Sequence, residues 1–555
     1  MRFRINRVLL QCVCISALAG QTGLQAQFIP ASEYHQSEAV KRRYGDPKMK
    51  FDTPGFASGK SDFTGHEEMM EFIYALQAKA NNMSSRIIGY SQEGRAIAAM
   101  IFSNSGTFST AELLRLNRPV VFLQGLQHGN EPAGGEAMLL LAKELASGAL
   151  RPLLDRITVV IVPRCNPDGA SYFTRDTPRR VDINRDHIKM DLPETEALHR
   201  LLNEFQPEVV VDAHEFSVAT RWLEKFGMLQ SWDLMMLYAT TANLPPALTQ
   251  LAEGLFRRNM VADVERAGYS QFWYYTTSYN EADKRVSMGG TAPDIGRNAG
   301  GLQNAISFLI ESRGVGIGRE GFARRVHSHY VAIGALLQTS ADHASEVMRA
   351  VSASRAEVAR RGREIGPGNE IVVTARGRIT KQKLTMIDPV SGELKDLEVD
   401  WEDTLATQAQ LTRQRPYAYL LAPSFNDIAR RLALSGIEVK KLRVAADLEV
   451  ESFQVLDRRG GATFVEGYVR QSVSTEVVKK RVKFPAGTFV FTMAQSNANL
   501  LVAALEPEST SSFVSLGLLP VDKKGTHPSI GASSEVPVYR LLQPQSLDFL
   551  PVVLP

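Results

Sequence analysis

Four short runs of apolar, mostly β-branched residues constrain the fold more than any other feature of this chain. They read "PVVFLQG" (119–125), "ITVVIVP" (157–163), "EVVVDAH" (208–214) and "AISFLIE" (305–311). Each is too short for a helix of ordinary length and lacks the polar alternation of a half-exposed strand. They read instead as strands covered on both faces. Between them lie segments with helical periodicity, "EAMLLLAKELA" (136–146) and "ETEALHRLLNEF" (194–205). Parallel neighbours need a crossover, usually a helix, so this alternation predicts an α/β domain with a mixed, largely parallel sheet flanked by helices. Polar residues that do chemistry then collect where the strands end.

The texture changes twice. From about 327 to 364 the pattern is helical and closes on the charged "RAEVARRGREIG". After "GPGNE" (366–370), short alternating stretches such as "EIVVTARGRI", "GTFVFTMAQ" and "VPVYRLL", broken by Gly and Pro, predict a β-rich region over 366–555. Residues 1–26 stand apart. Arg2, Arg4 and Arg7 precede the apolar "VLLQCVCISALAG", and Ala26 ends a cleavage-site pattern. This reads as an export signal, and places the mature chain in a periplasm or outside the cell. The expected divisions are therefore 1–26, 27–365 and 366–555, with no membrane attachment once the signal is cleaved.

Charge and cysteine content narrow the function classes. The leader carries three Arg and no acid, so the formal +3 balance of the whole chain falls to zero without it. A neutral chain offers no general attraction for nucleic acid or an anionic membrane. Two of the three cysteines leave with the leader. That makes Cys165, at the end of an apolar run, a buried structural thiol without a disulfide partner.

Two of the predicted strand ends carry three residues of metal-ligand type. His128 and Glu131 follow the first strand, and His214 ends "EVVVDAH". Two histidines and one carboxylate leave the fourth position of a tetrahedral zinc ion open to water, the arrangement of a hydrolytic site. Two other patterns fail on inspection. "GFASGKS" (55–61) is one residue short of a phosphate loop and no strand precedes it. "AHEFSV" (213–218) has Val218 where a zinc helix needs its second His.

In order along the chain, "QHGNE", "NPDG", Arg175 with "DINR" (182–185), "DAH" and "FLIESRG" resemble the zinc carboxypeptidase family, the M14 metallopeptidases related to carboxypeptidase A. The resemblance covers about 115–340. It implies one zinc ion per chain held by His128, Glu131 and His214, with Glu311 as the general base for attack of water on a peptide carbonyl. It also implies that Arg175 stabilises the oxyanion, although Arg179 and Arg180 stand nearby. Asn184 and Arg185 would grip the substrate's C-terminal carboxylate, and Asp182 would orient His128 from behind.

The implied activity is that of an exported zinc-dependent carboxypeptidase acting on peptides with a free C-terminus. A cell-wall peptide hydrolase or amidase and a non-catalytic binding module on the same fold are the alternatives. One departure stands out. The family's substrate-capping tyrosine belongs some twenty residues before Glu311, but "SMGGTAPDIGRNAGG" (287–301) contains none, and Tyr275 and Tyr279 lie upstream. Asp294 and Arg297 fall near the expected specificity pocket and would favour basic and acidic side chains respectively. Arg313 is open between a brace at the strand end and a substrate contact. Glu136 reads as a helix-face residue, and the glycines before it as room for a loop to turn back toward the metal.

Overall fold

The computed structural model describes residues 28–465, 468–523 and 533–554. The predicted export signal lies outside these residues. Among them, no helix is long and apolar enough to cross a membrane.

An eight-stranded sheet forms the centre of the molecule. Its order is Met83–Tyr90, Ala96–Phe102, Thr158–Val162, Val120–Gly125, Val209–Ser217, Ile306–Val315, Leu234–Tyr238 and Gln271–Trp273. The four runs singled out from the sequence are its four middle strands, and all four are mutually parallel. Antiparallel pairs flank them on both sides, so the sheet is mixed.

The strand interiors show why those runs lack polar alternation. Val121 and Leu123 pack with helices Pro132–Ser147 and Phe322–Asp342 on one face. Val120 and Phe122 pack with helix Pro193–Phe205 on the other. Every residue of Val120–Gly125 is buried. Each such apolar side chain contributes about 1.5–3 kcal/mol relative to exposure. Truncating Phe122 to Ala therefore costs about 3–5 kcal/mol.

The helix after the first parallel strand begins at Pro132, four residues before the periodic segment, because proline's fixed φ and missing N–H suit the first helical position. Gly134 and Gly135 consequently lie inside its first turn. They do not make room for a loop. A Cβ on Gly134 would lie 2.8 Å from the Ala213 carbonyl oxygen, and one on Gly135 2.4 Å from Leu126. These glycines let the helix settle directly onto the sheet. The helical stretch after 327 is two helices, Phe322–Asp342 and Ala344–Arg361, broken at His343.

Beyond residue 366 the chain is β-rich. Strands Glu370–Ile387 and Leu394–Gln414 form a long hairpin, which joins Leu229–Gln230, Arg285–Ser287 and Thr276–Thr277 in a five-stranded sheet. That sheet takes strands from both sides of residue 365. A seven-stranded antiparallel sheet follows, running Tyr468–Phe484, Ala446–Val465, Glu535–Leu541, Ala418–Leu421, Phe489–Thr492, Val439–Leu442 and Phe549–Val552. Its apolar core includes Ile188, Leu302 and Val358 from the first part of the chain. Arg430 also clasps Glu196 through two hydrogen bonds of 2.8 and 2.6 Å.

Candidate metal centre and substrate cleft

Two loops at the carboxyl ends of the parallel strands lie backbone against backbone. A Cβ on Gly129 would sit 1.9 Å from the Gly169 carbonyl carbon, so only glycine fits there. Asn166 binds the two loops together: its Nδ2 donates to the carbonyls of Gln127 at 3.2 Å and Arg175 at 3.3 Å, and its Oδ1 accepts from Gly169 N–H at 2.8 Å. Asp168 accepts from Ser91 at 2.6 Å and Arg95 at 2.7 Å, and so anchors the second loop to the sheet's outer hairpin. The "HGNE" and "NPDG" motifs are thus two halves of one clasp, and the clasp fixes where His128 points.

His128, Glu131 and His214 converge, and all three are buried. His128 Nδ1 lies 2.7 Å from Glu131 Oε1, His214 Nδ1 lies 2.8 Å from Glu131 Oε2, and the two Nδ1 atoms are 3.0 Å apart. Glu131 stands just ahead of its helix, and its Oε2 also accepts from Glu215 N–H at 3.0 Å. Behind His128, Asp182 Oδ1 lies 3.0 Å from Nε2. Behind His214, Asp212 Oδ1 lies 2.9 Å from Nε2. A carboxylate behind each ring fixes the tautomer that leaves Nδ1 with a free lone pair.

The electrostatics favour positive charge at this point. Burial opposes ionisation of Glu131, but the imidazoles of His128 and His214 outweigh it and hold the carboxyl far below its ordinary range. Burial would lower His214, yet Asp212 and Glu131 on its two sides raise it well above the usual imidazole value. Asp182 is likewise held low against burial by Arg175 and His128.

Glu311 pairs in register with His214 on the neighbouring parallel strand, so their side chains share a face of the sheet. Burial pushes its carboxyl up to about 7, with His214 and Glu131 acting in opposite senses. Arg175 reaches over the same spot. Its Nη2 donates to Asp182 at 2.7 Å, and its Nη1 lies 3.1 Å from His128 Nδ1. Arg179 and Arg180 are exposed and do not line the cleft.

The cleft above these groups encloses about 240 Å³. Arg175, Arg185, Arg221 and Arg297 line it, together with Tyr274 and Tyr279. Asn184 is turned to the protein: its Oδ1 accepts from Gly296 N–H at 2.7 Å and its Nδ2 lies 3.2 Å from His214 Nε2. Arg185 donates to the Asn184 carbonyl at 2.6 Å. Tyr275 also borders the cleft, buried against Trp222 and Trp401, while the exposed Tyr279 lies beside Arg221, 4.5 Å from its guanidinium. Arg313 stacks on Tyr44 at 4.1 Å, away from the cleft, and donates to the Gln230 carbonyl.

A sequence profile of the family described as "Zinc carboxypeptidase" matches residues 69–425. Carboxypeptidase 2 of Trichophyton equinum is 35% identical over 480 residues, spanning 85% of this chain and 87% of the relative. Carboxypeptidase 2 of Trichophyton rubrum is 34% identical over the same spans. A shorter match, 31% over 164 residues, covers 25% of this chain and 34% of carboxypeptidase E of Caenorhabditis elegans. The chain belongs to the zinc carboxypeptidase family.

The donor set fits the ion of a zinc carboxypeptidase. Tetrahedral zinc at about 2.0–2.1 Å from each donor needs donors roughly 3.3 Å apart, and two nitrogens with one carboxylate leave a position for water. The observed separations of 2.7–3.0 Å are close to that spacing. Glu136, five residues after Glu131, takes no part. It is buried on its helix, where its Oε1 accepts from Gly55 N–H at 2.9 Å.

Three features of this metallocarboxypeptidase cleft were not predicted. Asp212 stands two residues before His214 on the same strand face, and a lone acid inside an apolar run was its available signal. Gln127 Nε2 donates to the same Asp212 Oδ1 at 2.7 Å. Tyr274, adjacent to the anticipated Tyr275, is the tyrosine closest to the chemistry, since Glu311, Arg221, Arg175 and Arg297 all act on its hydroxyl after burial has pushed it up. Tyr274 and Tyr275 both border the cleft, but successive side chains of an extended segment point opposite ways, and sequence does not reveal which of them turns toward Glu311.

Proposed function

We propose that this metallocarboxypeptidase is exported and removes the C-terminal residue of peptides, with one zinc ion held by His128, Glu131 and His214. The observation that carries this reading is the convergence of those three buried donors, 2.7–3.0 Å apart, beside the strand that presents Glu311. Zinc in such a set supplies a Lewis acid, which polarises the scissile carbonyl and lowers the pKa of water.

The chain's own residues do the rest. Glu311 takes a proton from the attacking water and delivers it to the leaving amine, so one water is consumed for each bond cleaved. Arg175 donates N–H to the carbonyl oxygen as it becomes negative. Arg185 pairs its guanidinium fork with the terminal carboxylate, and Asn184 positions the adjoining backbone of Gly296. Asp182 holds His128 in the ligating tautomer, and Asp212 does the same for His214.

Export is supported by the basic start and apolar stretch of residues 1–26. Fractionating cells that express the full chain tests it, and retention of the unprocessed chain in the cytosol would refute it. For the activity, zinc-loaded protein is incubated with a peptide bearing a free C-terminus and with its C-terminally amidated twin. Release of the terminal residue from the first but not the second is expected. An intact free-acid peptide across a broad panel would end this reading.

A further inference from the structure

Arg297 is the feature of the cleft that catalysis as described leaves unexplained. It is only 2% exposed, yet it lines the cleft. Its Nη2 donates to the Gly290 carbonyl at 2.6 Å, while its Nε is buried with no partner. No carboxylate among the described residues lies within ion-pairing distance of it. Burial pushes its pKa down to about 10, against the opposing influence of Tyr274 and the more distant carboxylates of Glu311 and Asp212, with the charge of Arg185 adding to the fall. An unpaired guanidinium held out of water is costly, and proteins keep one where a ligand supplies the anion.

The surroundings hold it in place. Gly289 has φ +67°, and a Cβ there would lie 2.9 Å from Arg297 Nη2 and 3.0 Å from the Tyr274 ring. The neighbouring Met288 is fixed by the C-terminal hairpin, since its N–H donates to the Glu402 carbonyl at 3.0 Å and its carbonyl accepts from Thr404 Oγ1 at 2.9 Å. Asp294, the rival candidate in this loop, is fully buried, does not line the cleft and is bound by Arg470 at 2.5 Å. Asp294 is therefore not free to meet a basic substrate side chain.

We propose that Arg297 receives a second carboxylate, carried on the side chain of the substrate's C-terminal residue, so that the enzyme prefers peptides ending in glutamate or aspartate. This rests on the reading above in which Arg185 takes the terminal carboxylate. The two anions of a C-terminal acidic residue then meet two guanidinium groups of the cleft that have no carboxylate of their own.

The test uses zinc-loaded protein and four peptides identical except for a final Glu, Gln, Leu or Lys, with kcat/KM measured for each. Glu is expected to exceed Gln, its neutral isostere, by about tenfold or more, since an unpaired buried charge penalises the neutral analogue. Arg297→Gln brings the Glu to Gln ratio within about threefold of unity, and Arg297→Lys retains part of the preference. A wild-type ratio at or below unity overturns the proposal, and needs no variant to fold. So does an Arg297→Gln protein that loses the same factor on all four peptides, because that places Arg297 on the terminal carboxylate they share. Failure of the underlying reading looks different: no peptide is cleaved, or amidated peptides are cleaved as well as free acids, and either result removes both proposals.

Discussion

On the floor of the cleft, Glu131, Asp182 and His214 each meet a charged partner within 3.0 Å; on its walls, Arg185, Arg221 and Arg297 meet no carboxylate among the described residues. The floor is built from strand ends and from loops clasped backbone to backbone. The walls are built from the short Ile183–Arg185 turn, the start of a helix at Arg221 and the segment 271–297. Charges matched within the protein have their geometry set before any ligand arrives, as a reactive centre needs. Cations left unmatched gain their partners only when substrate brings them, as recognition needs. On the function proposed above, the contrast assigns the floor to chemistry and the walls to selection.

The sharpest way to break that contrast is on the floor. Glu311→Gln should lower kcat by about 10²–10⁴ while leaving bound zinc stoichiometric, because general-base transfer is lost and the donor set is not. A variant with near wild-type kcat would show that Glu311 is not the base. Its titration gives a related expectation. Burial raises Glu311 to about 7, and the base must be ionised, so kcat/KM should fall as pH drops through an acidic limb. A bound divalent cation favours the carboxylate, so the limb lies at or below about 7. A pH–rate profile that climbs toward acid would contradict this assignment.

Next in size are the carboxylates behind the imidazoles. Asp212→Asn and Asp182→Asn should each weaken zinc affinity by about 10–100-fold, measured by chelator competition. Unchanged affinity in both would mean the floor is not fixed by its own charges. On the wall, Arg185→Met should act mainly through KM, raising it by about tenfold or more and erasing discrimination between free-acid and amidated peptides. A pure kcat effect would move Arg185 from recognition to chemistry. The smallest effect belongs to the seam with the C-terminal region. Arg430→Ala should cost up to about 1 kcal/mol of stability in denaturant titration and leave kcat within error, since its pair with Glu196 is partly exposed.

Legibility followed the physical signal each part emits. The four middle strands were readable because burial on both faces forces a continuous apolar run, and their order with the helices between implied parallel pairing. The convergence of His128, Glu131 and His214 was readable because all three follow apolar strands, His128 and Glu131 in one short motif and His214 at the end of another run. The glycines of "QHGNEPAGGE" were less transparent: Gly129 serves the loop, but Gly134 and Gly135 serve helix packing. The wall segment was opaque. It is held by Arg285–Ser287 pairing with Asp400–Glu402, a contact across more than a hundred residues with no local trace.

By itself, then, the sequence determined the α/β layering and the placing of His128, Glu131, His214 and Glu311 at neighbouring strand ends, because each follows from local periodicity or from short motifs beside the apolar runs. The tertiary structure alone decided that Asp294 is spent on Arg470 while Arg297 faces the cleft unpaired, and that Tyr274 rather than Tyr275 lies beside Glu311. Those outcomes depend on which partner each charged or aromatic group meets after distant segments have packed. Side-chain partnership across long separations is a property of the folded chain and leaves no pattern in the order of its residues.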